Sequence, residues 1–496
     1  MSLARKLLAG AIGLVASSTT LAQPVDLPTE GAARRAQQDI ERFQRQLDEF
    51  RAASRIRINQ EIPIGTRVFY DYGLFTSFNY LSLDDANLDN RGLRQVDLIG
   101  FARINLDGVH ELFARGRGFY RDFNDGDAFD PEEGDGWDGH LDRLYYKFDL
   151  GRYVSGRTGE IGPSGASIKI GRDLVYWGTG LTLAQDLDAI VLDAFYEPLA
   201  VQLVAGRTPS DTVDIDSSRN NFDDHTIRCF YGALASMRVG THRPYVFALI
   251  QRDANTDISA IVIQDGAQPI ITRYDYNSYY LGIGSTGALT DRIAYGIEAV
   301  YEGGTTLSNS FDTASGAQIP QTEDDIEAYA LNVQLDYLMG DRRNTRLSTE
   351  FIYASGDEDR ISSTNTFAGN APGTRDEGFN AFGLLNTGTA FSPSVSNLIC
   401  IRAGASTFPF PDHKFLRRMQ VGIELFGFFK ADSEGGSDEP TLDRSYLGFE
   451  PDLYVNWQIT SDISLALRYG VFFPGSAIQA DEEHRQFFFA GLTFAF

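Results

Sequence analysis

Long apolar runs are missing from this chain. After the first 22 residues no stretch of 18 or more apolar residues occurs, which excludes a spanning helix. Cysteine is scarce: Cys229 and Cys400 alone cannot build a disulfide framework, and they fall on segments read as distant strands, so both thiols are expected to be free. Lysine is nearly absent, with 5 among 43 basic residues, and basic residues as a whole are outnumbered by 68 acids. The resulting net charge of −25 argues against nucleic acid. Six histidines, at 110, 140, 225, 242, 413 and 484, are scattered without zinc spacing or an H-E-x-x-H pair. There is no P-loop. "GIGSTG" (Gly282, Gly284, Gly287) fits the dinucleotide fingerprint, but no helical pattern follows it. The chain therefore reads as a non-enzyme, with no catalytic residue and no cofactor assigned.

What is present is glycine (49), phenylalanine (35) and tyrosine (23), which suit strands, tight turns and interfacial girdles. The last eleven residues, "QFFFAGLTFAF", alternate: Phe488, Ala490, Leu492, Phe494 and Phe496 share one face, apolar enough for lipid. An unpaired apolar strand at a terminus invites aggregation, and closure into a barrel removes that edge. The mean hydropathy of −0.22 looks soluble, but half of every strand in a transmembrane barrel faces a wet lumen.

At the other end, Arg5 and Lys6 precede an apolar run from Leu7 to Val15, and Thr20-Leu21-Ala22 supplies a cleavage site, so residues 1–22 read as a signal peptide. Residues 23–60 read as a periplasmic linker with a short amphipathic helix, carried by Ile40, Phe43, Leu47 and Phe50. That helix is a candidate for self-association or for docking a periplasmic export partner. From 61 to 496 strand follows strand, about eighteen in all. Short connections alternate with long ones at 122–138, 209–225, 254–270, 303–325, 356–396, 431–446 and 474–485. The expected fold is all-β: a closed antiparallel transmembrane barrel in the outer membrane of a Gram-negative-type bacterium, with short periplasmic turns and long outer loops. Connection 151–165 is the exception, a long turn on the periplasmic side. The aromatic terminus is a signal of the kind that barrel-assembly machinery reads, and the outer face meets outer-membrane lipid and lipopolysaccharide.

Alternation also assigns the lumen. An Arg or Lys facing lipid near mid-bilayer costs roughly 2–4 kcal/mol. This sorting turns inward Arg103, Arg115, Arg117, Arg121, Arg143, Lys147, Arg228, Arg238, Arg292, Arg346, Arg402 and Arg468, together with Asp97, Glu111, Glu298, Glu350 and Glu424. Guanidinium groups hold carboxylates in a two-pronged fork. Two readings stay open at this point: a passage for a carboxylated anion, and Arg–Glu pairing that merely holds the wall in shape. Acid collects in the loops, above all in "DFNDGDAFDPEEGDGWDGH". Its "DFNDGD" resembles a calcium loop whose Gly comes one place early. It reads first as a solvated acidic loop, and in the calcium alternative Asp122, Asp125 and Asp127 would be the ligands.

"IKIGRDLVYWGTGLTL" (168–183), followed by "LDAIVLDAF", "YASGD" and "LRYGVFFPG", resembles the alginate-export family of outer-membrane proteins over roughly residues 66–496. The resemblance implies an 18-stranded barrel with an arginine-lined, anion-selective pore for a polyuronate chain, and it adds Arg172 to the pore-lining set. Leu181 stands where the family usually carries arginine, and "TSD" is short where the family has a longer periplasmic lid. The expected function is a channel for an anionic polysaccharide, alginate-like, or its fragments. A porin taking up small anions or oligosaccharides, and a plugged structural or adhesin barrel, are the alternatives.

Overall fold

The computed structural model describes residues 67–496 apart from 85–89, 125–126, 128–134, 160–161, 211, 220–221, 223–225, 257, 262–269, 312–316, 361, 367–369 and 480–482. The segments read from sequence as a signal peptide and an amphipathic helix lie outside the described residues.

Alternating side chains produce the strands. In chain order they are β1 (Val68–Asp84), β2 (Asn90–Leu106), β3 (His110–Phe123), β4 (Gly136–Asp149), β5 (Ser164–Tyr176), β6 (Ala184–Tyr196), β7 (Leu199–Arg207), β8 (Arg228–Met237), β9 (His242–Asp253), β10 (Ile258–Ile261), β11 (Ile270–Arg273), β12 (Tyr276–Thr290), β13 (Ile293–Leu307), β14 (Glu323–Leu338), β15 (Arg346–Ala354), β16 (Leu398–Thr407), β17 (Met419–Phe429), β18 (Tyr446–Gln458), β19 (Ile463–Pro474) and β20 (Arg485–Ala495). Eighteen of these form one antiparallel sheet in sequence order, with β10 and β11 set apart as a small hairpin in an outer loop. β1 pairs with β20 from Phe75↔Ala495 to Leu83↔Phe487, so the sheet closes on its own beginning. The terminal aromatics face as their spacing requires: Phe488 is exposed on the outside, while Phe487 and Phe489 are buried within.

The long periplasmic connection contains a helix, α1 (Leu150–Thr158), which the sequence reading treated only as a long turn. Its caps explain it. The Asp149 carboxylate accepts from Arg152 N at one end, and Gly159 in the left-handed region donates its N–H to Ser155 O at the other.

Two segments fill the barrel. The first is the β5–β6 hairpin. β4 pairs with β5 only as far as Leu144↔Arg172, and β6 pairs with β7 only from Asp188↔Arg207. Beyond those points residues 173–176 and 184–187 pair only with each other. The hairpin therefore leaves the wall. Gly171 marks the bend at φ +130°, where a Cβ would lie 2.1 Å from Leu144 O. The second segment is loop 355–397, which sequence reading placed wholly outside. Its Phe379, Phe382 and Phe391 are buried in two hydrophobic clusters with inward side chains of the wall.

Candidate channel lumen and periplasmic cavity

The hairpin tip, residues 177–183, comes to rest against the inner wall between β7 and β13. Trp177 Nε1 donates to Gln202 Oε1 at 2.6 Å. Glu298 on β13, fully buried, accepts from Thr179 N and from the Tyr245 hydroxyl, each at 2.7 Å. The loop is tied to the same hairpin, with Leu384 N donating to Gly180 O and Ala184 N to Phe382 O, both at 2.8 Å. It then crosses the lumen. Asn380 N donates to Glu302 Oε2 at 2.8 Å on one side. On the other, Asn386 Nδ2 donates to Glu424 at 3.0 Å, and three successive amides reach Glu450. A fully buried backbone segment must find acceptors for its N–H groups, and these wall carboxylates supply them.

The wall charges divide into struts and unpaired groups. Asp97 is buried under Arg117 at 2.8 Å and also accepts from Asn79 and Gln95. Arg115 pairs with Asp142 at 3.0 Å, Arg402 joins Glu350 to Glu424, Arg346 pairs with Asp336 at 2.7 Å, and Glu111 accepts from the Tyr145 hydroxyl at 2.9 Å. Arg143 lies 3.5 Å from Asp173, which also takes Lys169 at 2.6 Å. Arg121 lies over the Phe119 ring at 4.6 Å, and Arg468 lies over Tyr454 while donating to Asn456. Arg103 and Lys147 also have inward parity, and among the described residues neither has an ion-pair partner.

Three predicted lumen residues sit elsewhere. Arg172 occupies the face of Leu144, Ile170 and Ile190, all exposed on the exterior. It grips Asp188 with two nitrogens, at 2.7 and 3.0 Å, and donates to the free Leu141 carbonyl at 3.1 Å. This caps the β4 edge where β5 departs, so the role is a hinge brace and not a pore contact. Arg292 lies exposed on a periplasmic turn, donating to Met339 O.

Arg228 points inward but is sealed beneath loop 208–227. Its guanidinium holds both oxygens of Asp214, at 3.0 and 2.6 Å, and the Tyr276 carbonyl at 2.8 Å. Burial raises the Asp214 carboxyl's pKa, but Arg228 and Arg219 outweigh burial and hold it below its ordinary value. A carboxylate lowered in the folded state contributes stability at neutral pH that is lost as pH falls below the ordinary carboxylate range. Removing one partner of a buried pair typically costs about 3–5 kcal/mol. Arg228→Leu is therefore expected to lower the midpoint of heat-induced gel-mobility change markedly at neutral pH, with a smaller deficit in acid. An equal deficit at every pH would contradict this.

For the calcium alternative, Asp122 is engaged by Arg94 at 2.9 Å, and Asp127 accepts from Gly92 N and Asn124 Nδ2. Asp125 lies outside the described residues. No metal-ligating cluster occurs among the described residues. Cys229 and Cys400 are free thiols.

Below the hairpin tip, at the periplasmic ends of β6 to β9, lies a cavity of about 640 Å³, within the size range of small-ligand sites. Tyr176, Trp177, Asp193, Glu197, Arg238 and Arg243 are among its lining residues. Arg243 Nε donates to Ser236 Oγ at 3.2 Å, and neither arginine has an ion-pair partner among the described residues. Sequence reading found Arg238 but missed Arg243, although it shares the inward parity of Tyr245 and Phe247.

The family pattern described as "Alginate export" matches residues 213–489, more than half of the chain. The chain belongs to the alginate export family. Its members are barrels of the Gram-negative outer membrane, and this chain has the fold of a transport channel, not of an enzyme class. No curated protein sequence matches it. Among solved structures, it resembles Pseudomonas aeruginosa OccK11 (OpdR), with 10% identity, TM-score 0.50 and coverage of 88% of this chain and 99% of that one. It also resembles P. aeruginosa OccK2 (OpdF), with 11% identity, TM-score 0.51 and coverage of 86% and 97%. Acinetobacter baumannii OccAB2 gives 10%, 0.51, 86% and 98%. At such identities the likeness concerns the fold. In this member of the alginate export family, residues 173–183 run into the inward hairpin, whose Leu181 is buried against loop 355–397.

Proposed function

We propose that this outer-membrane channel passes an alginate-like anionic polysaccharide, or its fragments, along a lumen whose unpaired cations attract carboxylates. The observation carrying the proposal is the periplasmic cavity, where Arg238 and Arg243, without ion-pair partners among the described residues, line the same space as the exposed ring of Tyr176. Aromatic faces suit the apolar faces of sugar rings, and guanidinium forks suit uronate carboxylates. Arg103 and Lys147 continue the positive potential along the wall. The family membership supports a polysaccharide substrate.

Planar-bilayer recording tests this. The wild type should carry an anion-preferring current that oligouronates block from the periplasmic side. Arg238→Glu/Arg243→Glu should weaken the block at least tenfold and lower the anion preference. Block by small anions alone would favour an uptake porin, and absence of current would favour a plugged structural barrel. Either outcome would overturn the reading.

A further inference from the structure

Two arginines face away from the lumen. Arg207 is the last residue of β7, and Arg252 is the last but one of β9. Both are exposed, with the parity of lipid-facing Val201 and Leu203 on one strand and Val246 and Ile250 on the other. Neither has an ion-pair partner among the described residues. Asp188, across from Arg207, is taken by Arg172.

The two arginines share a register partner, Cys229 on β8. Their Cα atoms are thus two strand spacings apart, roughly 10 Å, with a small half-buried side chain between them. Two arginine side chains can converge on one group across that gap. Their height is set by strand length. β7 has nine residues, which at ~3.3 Å per residue and a tilt of ~40° rise roughly 20 Å, close to the ~25 Å apolar band. Apolar side chains (Leu203, Tyr231, Ile250) lie below. The guanidinium groups therefore emerge at the outer headgroup level. There a lipid-facing charge costs little, and the ligands available are the phosphates of outer-leaflet glycolipid. Arginine's fork matches phosphate geometry.

We propose that Arg207 and Arg252 clamp a phosphate of an outer-leaflet glycolipid over Cys229, independently of what the lumen carries. The test measures binding of diphosphoryl lipid A, and of the same lipid with its phosphates removed, to the purified full chain in detergent. Wild type should prefer the phosphorylated lipid at least tenfold, and Arg207→Ala/Arg252→Ala should abolish that preference while keeping heat-modifiable gel mobility. Arg94→Ala, which removes an outward arginine already paired with Asp122, should bind as wild type. Inorganic phosphate equimolar with the lipid should not displace it. Equal binding of both lipids, an unchanged double variant, an equal loss in Arg94→Ala, or displacement by equimolar phosphate would each overturn the proposal.

Discussion

Gly178→Val is expected to raise single-channel conductance severalfold and to make the current noisy. The residue holds φ +57°, and a Cβ there would lie 1.7 Å from Glu298 Oε2 and 2.7 Å from the Tyr245 hydroxyl. A β-branched residue in that backbone region costs of order 1–3 kcal/mol. The clash also displaces the acceptor that holds Thr179 N, and a hydrogen bond to a charged group contributes roughly 1.5–3 kcal/mol. Together these exceed what one turn of backbone can absorb, so the tip must leave the wall. Trp177, Leu181 and Leu183 remain buried in the apolar cluster, which keeps the hairpin inside the barrel and produces fluctuation instead of full release. Glu298→Gln keeps an acceptor oxygen and should have a smaller effect. A complementary variant locks the tip. Thr179 Cγ2 lies 3.4 Å from where a Cβ on Gly296 would stand, so Thr179→Cys/Gly296→Cys is placed to cross-link. The oxidised form should conduct as wild type with less noise. Unchanged conductance in folded Gly178→Val, or altered conductance in the cross-linked form, would remove the hairpin from any gating role.

The barrel was legible because its governing rule is local. Period-two alternation needs no knowledge of partners, and the cost of a charge in lipid makes it reliable, so Asp97, Arg117, Glu350 and Arg402 were all assigned inward from their own strands. The hairpin was not legible, because β5 alternates through Gly171 without interruption and only φ shows the bend. Arg172 entered the pore-lining set through the family resemblance alone, and its parity with Ile170 places it on the outer face. Pairing was illegible where register decides it. Arg115 meets Asp142 because a bulge between Arg115 and Gly116 in the β3–β4 register lets both Asp142 and Arg143 face inward. Loop 355–397 carried no sign of its position, since its anchors Glu302, Glu424 and Glu450 are remote in sequence and resemble ordinary lumen acids.

Glu450 is where that loop can be released without disturbing the wall. Its carboxylate is fully buried and receives Thr389 N and Ala390 N on one oxygen, at 2.6 and 2.7 Å, and Phe391 N on the other at 2.8 Å. Neighbouring Asp452 takes the Thr389 hydroxyl on Oδ1 at 2.9 Å, which leaves one oxygen, Oδ2, against three amides. Glu450→Leu strands three N–H groups. Each buried unsatisfied donor costs about 1–3 kcal/mol, more than the segment can bear while docked, although Phe391 still stacks on Phe472 with ring centroids 4.2 Å apart. The segment should therefore open locally while the barrel stays closed, because the β17–β18–β19 ladders are made by backbone groups that the substitution does not touch. Amide exchange at 389–391 should accelerate about a hundredfold or more, with protection in β18 and β19 retained. Glu450→Gln keeps only one acceptor oxygen and should lie between the two. Conductance should rise in the same order, since the loop's removal widens the lumen on the β17–β18 side, whereas Gly178→Val acts on the β9–β13 side. Loop and hairpin are hydrogen-bonded to each other through Leu384 N to Gly180 O and Ala184 N to Phe382 O, so the two effects on conductance should couple and not simply add. Wild-type exchange rates at 389–391 in Glu450→Leu would mean that aromatic packing, and not the carboxylate, holds the loop in place.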